Sequence, residues 1–418
     1  LHWLLIQKNA PGSIFCIPKL PLFMKKLRVC WLCRLQSRDT DDFFGIRSPE
    51  YIMPFFPLML DRLAGVAELE IHVILSNRYT NQSAMFERGN ISYHFYSFYD
   101  ESMFASPPPV FHLAGIDYRK KQILALLSRL KPDLVHVHGA CFVDFSPAVP
   151  DILKRYPTLV SITGFLRNAS QESFLNRMSS WFEDNILRSA HNFGTRTDVM
   201  EHTIRMINPE AVFHRHPYLT PLPTVIKDNH GVDEPFDGIY FARLVRDKGI
   251  YDLLEAIELV CRERPGSKYL IYGQGDEKTV KNIMNYVREL DIEDAIDFRG
   301  YQSDTEVIYK AALGAKMCIL PTYHDTVPGT VIESMCMKLP VLCYAVGGIP
   351  ELNRDRRCVG LVEVHDKQGL SAEMIRLLDR VELRKELAEN GYQYAKENFM
   401  YDDFAENMTS IYRRVASK

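Results

Sequence analysis

Short apolar runs alternate with stretches of helical periodicity along the first part of the chain. The runs predict strands at 27–35, 69–76, 134–138 and 158–163, and the stretches between them predict helices at 51–63, 118–130 and 173–189. Strands that alternate with helices at this spacing are parallel and are joined by crossover helices. The pattern therefore predicts a doubly wound α/β domain over residues 24–216.

The same alternation restarts after residues 217–237, a segment with four prolines and no helical period. Such a segment is typical of a linker between domains. After it, strands are predicted at 238–244, 268–272, 296–299, 317–320, 341–344 and 361–364, with helices between them and at the end of the chain. We expect a second Rossmann-like α/β domain at 238–418, which faces the first across a central cleft.

The first 23 residues do not continue this pattern. They hold three prolines and two lysines among short apolar pieces, and Met24 directly precedes the first clear strand. A signal peptide would need a continuous apolar centre and a small-residue cleavage site. We therefore expect Met24 to be the true start and residues 1–23 to be a non-native or disordered extension.

Composition excludes several classes of protein. A chain of 418 residues, 46 % hydrophobic and 25 % charged, is typical of a globular protein of two or three domains. At a net charge of -3, the chain lacks the overall positive charge that is typical of nucleic-acid-binding proteins, although a local basic patch stays open. No apolar run reaches the roughly 18 to 20 residues that a membrane-spanning helix needs. The nine scattered cysteines indicate a reducing compartment, so we expect a cytoplasmic protein. Cys30 and Cys33 have the spacing of a redox or metal motif, but we interpret them as part of a buried strand.

The segment 321–351 carries the first candidate chemistry. A helix is predicted at 330–337, and Gly329 leaves the backbone open where that helix begins, so free N–H groups and the positive end of the helix dipole favour an anion. Asp325 lies in the loop before the helix and Glu333 one turn into it, so they could reach different hydroxyl groups of one ligand. The alternative is a capped helix start without a ligand.

Two cations follow the first strand of the second domain. Arg243 and Lys248 are five positions apart in the sequence ARLVRDKG. The carboxyl ends of parallel strands meet at one edge of a sheet, so these cations are expected beside Asp325 and Glu333. Solvated surface charges are the alternative interpretation of such a pair.

These segments occur in a familiar order: ARLVRDKG, YGQGD at 272–276, the D-x7-E of Asp325 and Glu333, and GGIPE at 347–351. From residue 238 to the C-terminus, the chain resembles the donor-binding half of family 4 (group 1) retaining glycosyltransferases of the GT-B fold. That family has GRL-x-x-x-KG and E-x7-E, so Asp325 stands where the family has a glutamate.

The resemblance implies roles for these residues. Arg243 and Lys248 would stabilise the charge on the leaving diphosphate, Glu333 would accept hydrogen bonds from the ribose, and Asp325 would face the transferred sugar. It also implies a wider set of donor-binding residues: Gly273, Gly275, Thr326, Val327, Pro328, Gly329 and Thr330.

The first domain would then bind the acceptor, but there the resemblance is weak. The family's T-x-H-like segment corresponds to 161–164, which has no histidine. His138 is predicted to face the cleft and His136 to pack at the strand end, and the pair could bind metal only with a third ligand. The sequence 39–41 matches the D-x-D of metal-dependent GT-A enzymes, but we expect no metal. The further acceptor candidates are Asp39, Arg167 and Asn168.

The resemblance implies a retaining, metal-independent hexosyltransferase that needs no cofactor. Its donor would be a UDP- or GDP-sugar or a related nucleotide sugar, and its acceptor a saccharide or lipid-linked saccharide in the biosynthesis of capsule, lipopolysaccharide or exopolysaccharide. Contact with the inner face of a membrane would follow from a lipid-linked acceptor. Two alternatives stay open: a GT-B protein that binds nucleotide sugars without transferase activity, and a GT-B nucleotide-sugar epimerase.

Overall fold

The computed structural model describes residues 25–35, 37–46, 55–77, 82–98, 108–166, 174–216, 219, 222–223, 225–226, 234–400 and 403–417. In the first half of the chain the elements are β1 (Leu27–Leu32), α1 (Arg38–Phe44), α2 (Phe55–Leu63), β2 (Leu69–Asn77), β3 (Ala84–Arg88), β4 (Ile91–Ser97), α3 (Pro108–Leu130), β5 (Leu134–His138), α4 (Val149–Leu153), β6 (Thr158–Ser161), α5 (Phe174–Ser189), β7 (Asn192–Thr195), α6 (Asp198–Ile207) and β8 (Val212–Arg215).

In the second half they are β9 (Gly238–Phe241), α7 (Ile250–Glu263), β10 (Tyr269–Tyr272), α8 (Glu277–Glu289), β11 (Ile296–Gly300), α9 (Thr305–Ala312), β12 (Cys318–Leu320), α10 (Gly329–Cys336), β13 (Val341–Tyr344), β14 (Gly360–Val362), α11 (Lys367–Asp379), α12 (Val381–Asn398) and α13 (Phe404–Ala416). No helix within the described ranges combines the length and the apolar character needed to cross a bilayer.

The described strands form two sheets. The first has eight strands in the order β3-β4-β2-β1-β5-β6-β7-β8, and the second has six in the order β11-β10-β9-β12-β13-β14. Neighbouring strands pair in parallel, except β3, which runs antiparallel to β4 at one edge. In each sheet the strand order reverses beside the unit's first strand, which is where such sheets bind ligands. Two doubly wound Rossmann-like units confirm the predicted fold class.

Local sequence explains most of these elements. β5 and β13 are short runs in which every residue is buried, and both were predicted with their observed bounds. Several helices begin at residues whose side chains accept a hydrogen bond from the first turn, as Thr197 does from Met200 N–H (3.2 Å) and Asp276 from Thr279 N–H (2.6 Å). The β3–β4 hairpin and strands β7 and β8 were missed. In β3 only alternate residues are even partly covered, as is typical of an edge strand.

The predicted boundary of the second domain is wrong at its end. Helix α13 lies against the first sheet, not the second, and its apolar face joins the core formed with β1, β2 and α2. The residues that enter this core are Phe404, Met408, Ile411, Tyr412 and Val415. The chain therefore crosses back to its first unit after α12. Residues 1–23, and most of the predicted linker 217–237, lie outside the described residues.

Candidate functional site

The loop after β9 holds Lys248 close to the loop after β12. A short 3₁₀ turn, Arg246–Lys248, ends at Gly249 in the left-handed conformation (φ 74°). A Cβ atom at position 249 would lie 1.8 Å from the carbonyl oxygen of Pro321. Only glycine allows this approach. The two loops are also joined by a 2.8 Å hydrogen bond from Tyr323 N–H to Asp247 O.

Lys248 and Asp325, predicted to lie at one edge, form an ion pair across these loops. Their side chains are 17 % and 18 % exposed, so both remain open to the cleft. Thr322 Oγ1 donates to the same carboxylate oxygen at 3.3 Å. Arg243 is exposed and follows β9 at the same edge of the sheet. Positive charge and a carboxylate therefore meet at the carboxyl ends of β9 and β12.

The loop after β13 packs directly against the loop that carries Asp325. Gly347 has a left-handed backbone (φ 55°), and a Cβ atom there would lie 1.6 Å from the carbonyl oxygen of Asp325. Gly348 N–H donates to Thr326 O at 2.7 Å. The position of Asp325 thus depends on close backbone contact with both glycines.

Helix α10 begins beside this loop. Its N-cap is Pro328, which has no side-chain hydrogen bond to offer, and its first turn has no acidic residue. The first amides of a helix have no partner inside it, so those of Gly329 and Thr330 are available to an anion. Thr330 Oγ1 donates to Phe241 O at 2.8 Å, which fixes the helix start to the end of β9.

Glu333 lies one turn into α10 and is half-buried. The pKa of Tyr309 in α9 is raised. Burial is the largest cause, and the negative charge of Glu333 is the second. The carboxylate of Glu333 is therefore close to Tyr309, on the side of α10 that faces α9.

Gly273 and Gly275, which follow β10, let neighbouring loops pack closely at this edge of the sheet. A Cβ atom at Gly273 would lie 2.3 Å from Ala242 O, and one at Gly275 would lie 3.1 Å from the Cβ of Leu244. Leu244 N–H also donates to Gln274 O at 2.7 Å. These contacts explain both glycines by the packing of neighbouring loops, and their predicted role in donor binding stays a prediction.

A cavity of about 250 Å³ lies between the two units. Residues 163–165 and the start of α6 line it from the first unit, and residues 323–326 with Gly347 and Gly348 line it from the second. Val327 lines a neighbouring cavity of about 260 Å³ between the same units. Asp325 thus lies at the surface where the two units meet.

The prediction for His138 is wrong. Its side chain is buried in the first unit. The centroid of its imidazole ring lies 3.7 Å from the ring centroid of His136, 4.2 Å from that of Trp31 and 4.8 Å from that of Phe56. Strand alternation does place both imidazoles on one face, as expected, but that face is covered by α2 and α13. His138 therefore does not face the cleft.

The role predicted for Asp39 toward an acceptor stays a prediction. Asp39 lies in α1 and forms an ion pair with Arg88, the last residue of β3, so it belongs to the contact of α1 with the hairpin. Within the described ranges no three His, Cys, Asp or Glu side chains are grouped to hold a metal ion. The remaining acceptor candidates, Arg167 and Asn168, lie outside the described residues.

Cys30 and Cys33 are free thiols in the buried core of the first unit. Burial raises the pKa of both thiols, which keeps them protonated and unreactive. This environment agrees with the interpretation of the pair as strand-core residues.

Residues 224–394 match the family model of glycosyl transferases group 1, and this range includes every candidate of the second unit. Two curated relatives match over more of the chain than this range, 65 % and 83 % of it. The second unit of this chain thus matches the group 1 glycosyltransferases, and the two units together have the GT-B fold.

The curated relatives that this chain matches are distant. It is 23 % identical to the putative teichuronic acid biosynthesis glycosyltransferase TuaC of Bacillus subtilis, over 65 % of this chain and 67 % of that one. It is 22 % identical to the N-acetyl-alpha-D-glucosaminyl L-malate synthase of Bacillus anthracis, over 83 % and 89 %. The match to the alpha-D-kanosaminyltransferase of Streptomyces kanamyceticus, at 22 % identity, covers 46 % of this chain and about half (48 %) of that relative.

Solved structures show the same fold. The sucrose-phosphate synthase of Thermosynechococcus elongatus superposes with a TM-score of 0.73 at 17 % identity, over 94 % of this chain and all of that one. An Escherichia coli trehalose-6-phosphate protein bound with UDP-2-fluoro glucose superposes with a TM-score of 0.66 at 11 % identity, over 94 % and 99 %.

The sequence did not predict one contact between the two units. Both carboxylate oxygens of Glu351 accept hydrogen bonds from the start of α6, from Asp198 N–H and Val199 N–H, each at 2.8 Å. The motif GGIPE had drawn attention to Glu351 without giving it a role. The capped helix start at Thr197 was the other available signal.

Proposed function

We propose that this protein is a retaining family 4 glycosyltransferase that transfers a sugar from a nucleoside-diphosphate sugar to a saccharide or lipid-linked saccharide. The observation that carries the proposal is the ion pair of Lys248 with Asp325 at the cleft, beside Arg243 and the open start of α10. These groups offer positive charge for a diphosphate and a carboxylate for sugar hydroxyls within one edge of the sheet.

The chemistry needs that combination. When the bond to the sugar breaks, negative charge grows on the diphosphate, and cations placed there lower the barrier. At an effective dielectric of about 20, a cation about 4 Å from a phosphate oxygen contributes roughly 4 kcal/mol before desolvation. In this proposal Lys248 exchanges part of its contact with Asp325 for the phosphate, and Asp325 turns to the transferred sugar. Glu333 accepts hydrogen bonds from the ribose. Positive charge comes from Arg243, Lys248 and the α10 amides, without a metal or cofactor.

The names of relatives support the acceptor class. They include glycosyltransferases of teichuronic acid, colanic acid and lipopolysaccharide core biosynthesis. One neighbouring structure, Anabaena Alr3699/HepE, holds UDP and glucose. We propose a role in surface polysaccharide assembly in the cytoplasm, at the inner face of the membrane where the acceptor is lipid-linked. Failure to float with liposomes that carry anionic lipid would remove the membrane contact.

Thermal unfolding with UDP-, GDP- and ADP-sugars tests the donor site. A ligand at about 100 times its dissociation constant adds roughly 2.7 kcal/mol of stability. We expect a shift with one nucleotide class, and its loss in the Arg243→Ala, Lys248→Ala double variant. The matched control is Arg262→Ala, Lys281→Ala, which removes two exposed cations from the same unit and should keep the shift. If no nucleotide sugar shifts the wild type, the proposal fails.

Product analysis separates the remaining alternatives. A transferase consumes the nucleotide sugar with an acceptor and gives a product with the donor's anomeric configuration, which proton NMR reads directly. An epimerase would yield an isomer of the donor without acceptor. A protein that only binds nucleotide sugars would show the thermal shift and no turnover with any acceptor.

A further inference from the structure

Glu351 connects the two units through the backbone of a helix. It lies in the 3₁₀ turn Ile349–Asn353 after β13, in the second unit. Its Oε2 accepts from Asp198 N–H and its Oε1 from Val199 N–H, both at 2.8 Å, at the start of α6 in the first unit. The helix's own cap, Thr197, takes only the Met200 N–H. The carboxylate of Glu351 in the second unit therefore caps backbone N–H groups at the start of α6 in the first unit.

Ion pairs surround this contact. Arg354, from the same turn as Glu351, pairs with Asp198, and Asp198 also pairs with Arg215 at the end of β8. Arg215 pairs in addition with Glu201, one turn further into α6, at 2.7 Å. These side chains are about half-exposed except for those of Glu351 and Glu201, which are 17 % and 21 % exposed. Exposed pairs contribute little, so the covered carboxylate of Glu351 is the principal connection.

The same turn also supports the Asp325 loop. Gly348, three residues before Glu351, donates its N–H to Thr326 O at 2.7 Å. A Cβ atom at Gly348 would lie 2.5 Å from Thr197 Cγ2 and 2.6 Å from Thr326 O. The turn is thus in direct contact with the start of α6 on one side and with the loop that carries Asp325 on the other.

We propose that Glu351 is a positioning residue that holds the first unit in register with Asp325. This proposal rests on the proposed function, in which the first unit binds the acceptor and Asp325 binds the donor sugar. The register of the two units then sets the distance between the acceptor and the donor sugar. The cavity that contains Asp325 is lined by both units next to this contact. Thr197 and Val199 line the cavity from the start of α6, and Gly348 lines it from the second unit. Without Glu351, the units would lose the connection that sets their distance at the reacting groups.

The choice of a glutamate follows from the two amides. Each carboxylate oxygen accepts one N–H, and the negative charge faces the positive end of the α6 dipole. A glutamine keeps the shape but has one accepting oxygen, and its NH₂ group would oppose the second amide. Glu351→Gln therefore removes one hydrogen bond and the charge without creating a cavity.

The test uses the full-length protein with Glu351→Gln and, as matched control, Glu382→Gln, an 85 % exposed glutamate that pairs with Lys385 in the same unit. Hydrogen exchange of peptides covering the start of α6 should speed up at Asp198 and Val199 in Glu351→Gln only. Small-angle scattering should show a larger radius of gyration. Asp198→Asn, which removes the ion pairs of Asp198 with Arg354 and Arg215 but keeps the backbone amides, should leave the Val199 amide protected.

Activity supplies the readout of positioning. With the donor identified by thermal shift, Glu351→Gln should keep the shift and keep KM for the nucleotide sugar within about twofold, while kcat falls about 10- to 100-fold, because small displacements between reacting groups carry such costs. Unchanged exchange, or faster exchange with unchanged kcat, would overturn the proposal. If the wild type shows no nucleotide shift, the proposed function fails instead, and exchange with scattering still decides whether Glu351 holds the units together.

Discussion

The indole Nε1 of Trp31 donates a 2.9 Å hydrogen bond to the hydroxyl of Tyr412, a residue 381 positions further along the chain. The same hydroxyl lies 2.9 Å from Nδ1 of His136. All three side chains are buried. The last helix therefore belongs to the core of the first unit, and the chain crosses between the units twice.

Tyr412→Phe should destabilise the first unit. The substitution keeps the ring but leaves the Trp31 N–H and His136 without their common partner in a buried site, which costs about 1–3 kcal/mol. Urea unfolding followed by tryptophan fluorescence measures the loss. Tyr392→Phe is the control, since its ring packs on Lys338 at the protein surface and that contact is kept. Equal stability of the two variants would contradict the role of the Tyr412 hydroxyl.

Stability should fall at mildly acid pH because of two buried histidines. Burial is the largest cause that lowers the pKa of His136 and His138 well below the ordinary histidine value of about 6.5, and the charge of neighbouring imidazoles is the second. The titratable groups that face them are each other, His216 and the hydroxyl of Tyr412. Below pH 6.5 the unfolded chain binds protons that the folded protein does not, so stability is present above this pH and lost below it. Each histidine contributes a slope of about 1.4 kcal/mol per pH unit once both states differ by a full proton.

His138→Leu tests this explanation. Within the described structure neither ring nitrogen of His138 has a hydrogen-bond partner, so the substitution removes an unsatisfied polar group. We expect stability equal to or above the wild type at pH 7.5, and a smaller loss between pH 6.5 and 5. His136→Leu, by contrast, breaks bonds to Tyr412 and to Ser161 (2.7 Å) and should destabilise at every pH. If His138→Leu loses as much stability in acid as the wild type, other groups cause the acid sensitivity.

Gly347→Ala should damage the site more than the fold, and Gly89→Ala is its matched control. Both glycines have left-handed backbones, with φ of 55° and 64°, so alanine at either costs about 1–2 kcal/mol. At Gly89, however, a Cβ atom meets nothing within 4 Å, whereas at Gly347 it would collide with Asp325 O. Transfer activity should survive in Gly89→Ala and be largely lost in Gly347→Ala. Similar activity in both variants would show that the loop tolerates displacement.

How much the sequence predicts depends on whether the information is local. β5 and β13 were predicted with their observed bounds because each is a short run rich in apolar or β-branched residues, LVHVH and VLCY, between polar or turn-forming residues. The edge strand β3 was missed because its sequence, AMFER, lacks both a run and a clear alternation. The order of the motifs, combined with parallel topology, was enough to predict that Lys248 and Asp325 lie at one edge of the sheet, although not that they form an ion pair.

Contacts between distant elements were beyond this reasoning. The apolar stripe of α13 fits either sheet equally well, so nothing local assigns it to the first unit. His138 was misplaced because strand alternation gives a face but not what covers it. Glu351 and the start of α6 were each recognisable, yet their contact depends on how the two units are oriented, which no periodicity contains.

Asp325→Asn should separate sugar recognition from nucleotide binding. Asparagine keeps the shape but loses the charge that faces Lys248 and, in the proposed function, the sugar hydroxyls. Hydrogen bonds to a charged group contribute about 1.5–3 kcal/mol, so kcat/KM should fall roughly 10- to 100-fold. Affinity for the free nucleoside diphosphate should be unchanged or higher, because Lys248 is no longer neutralised and can serve the phosphates alone. Steady-state kinetics and calorimetry with the diphosphate measure the two quantities, and the exposed Asp355→Asn in the same unit is the control. Loss of diphosphate binding together with activity would place Asp325 at the phosphates and exclude its assignment to the sugar.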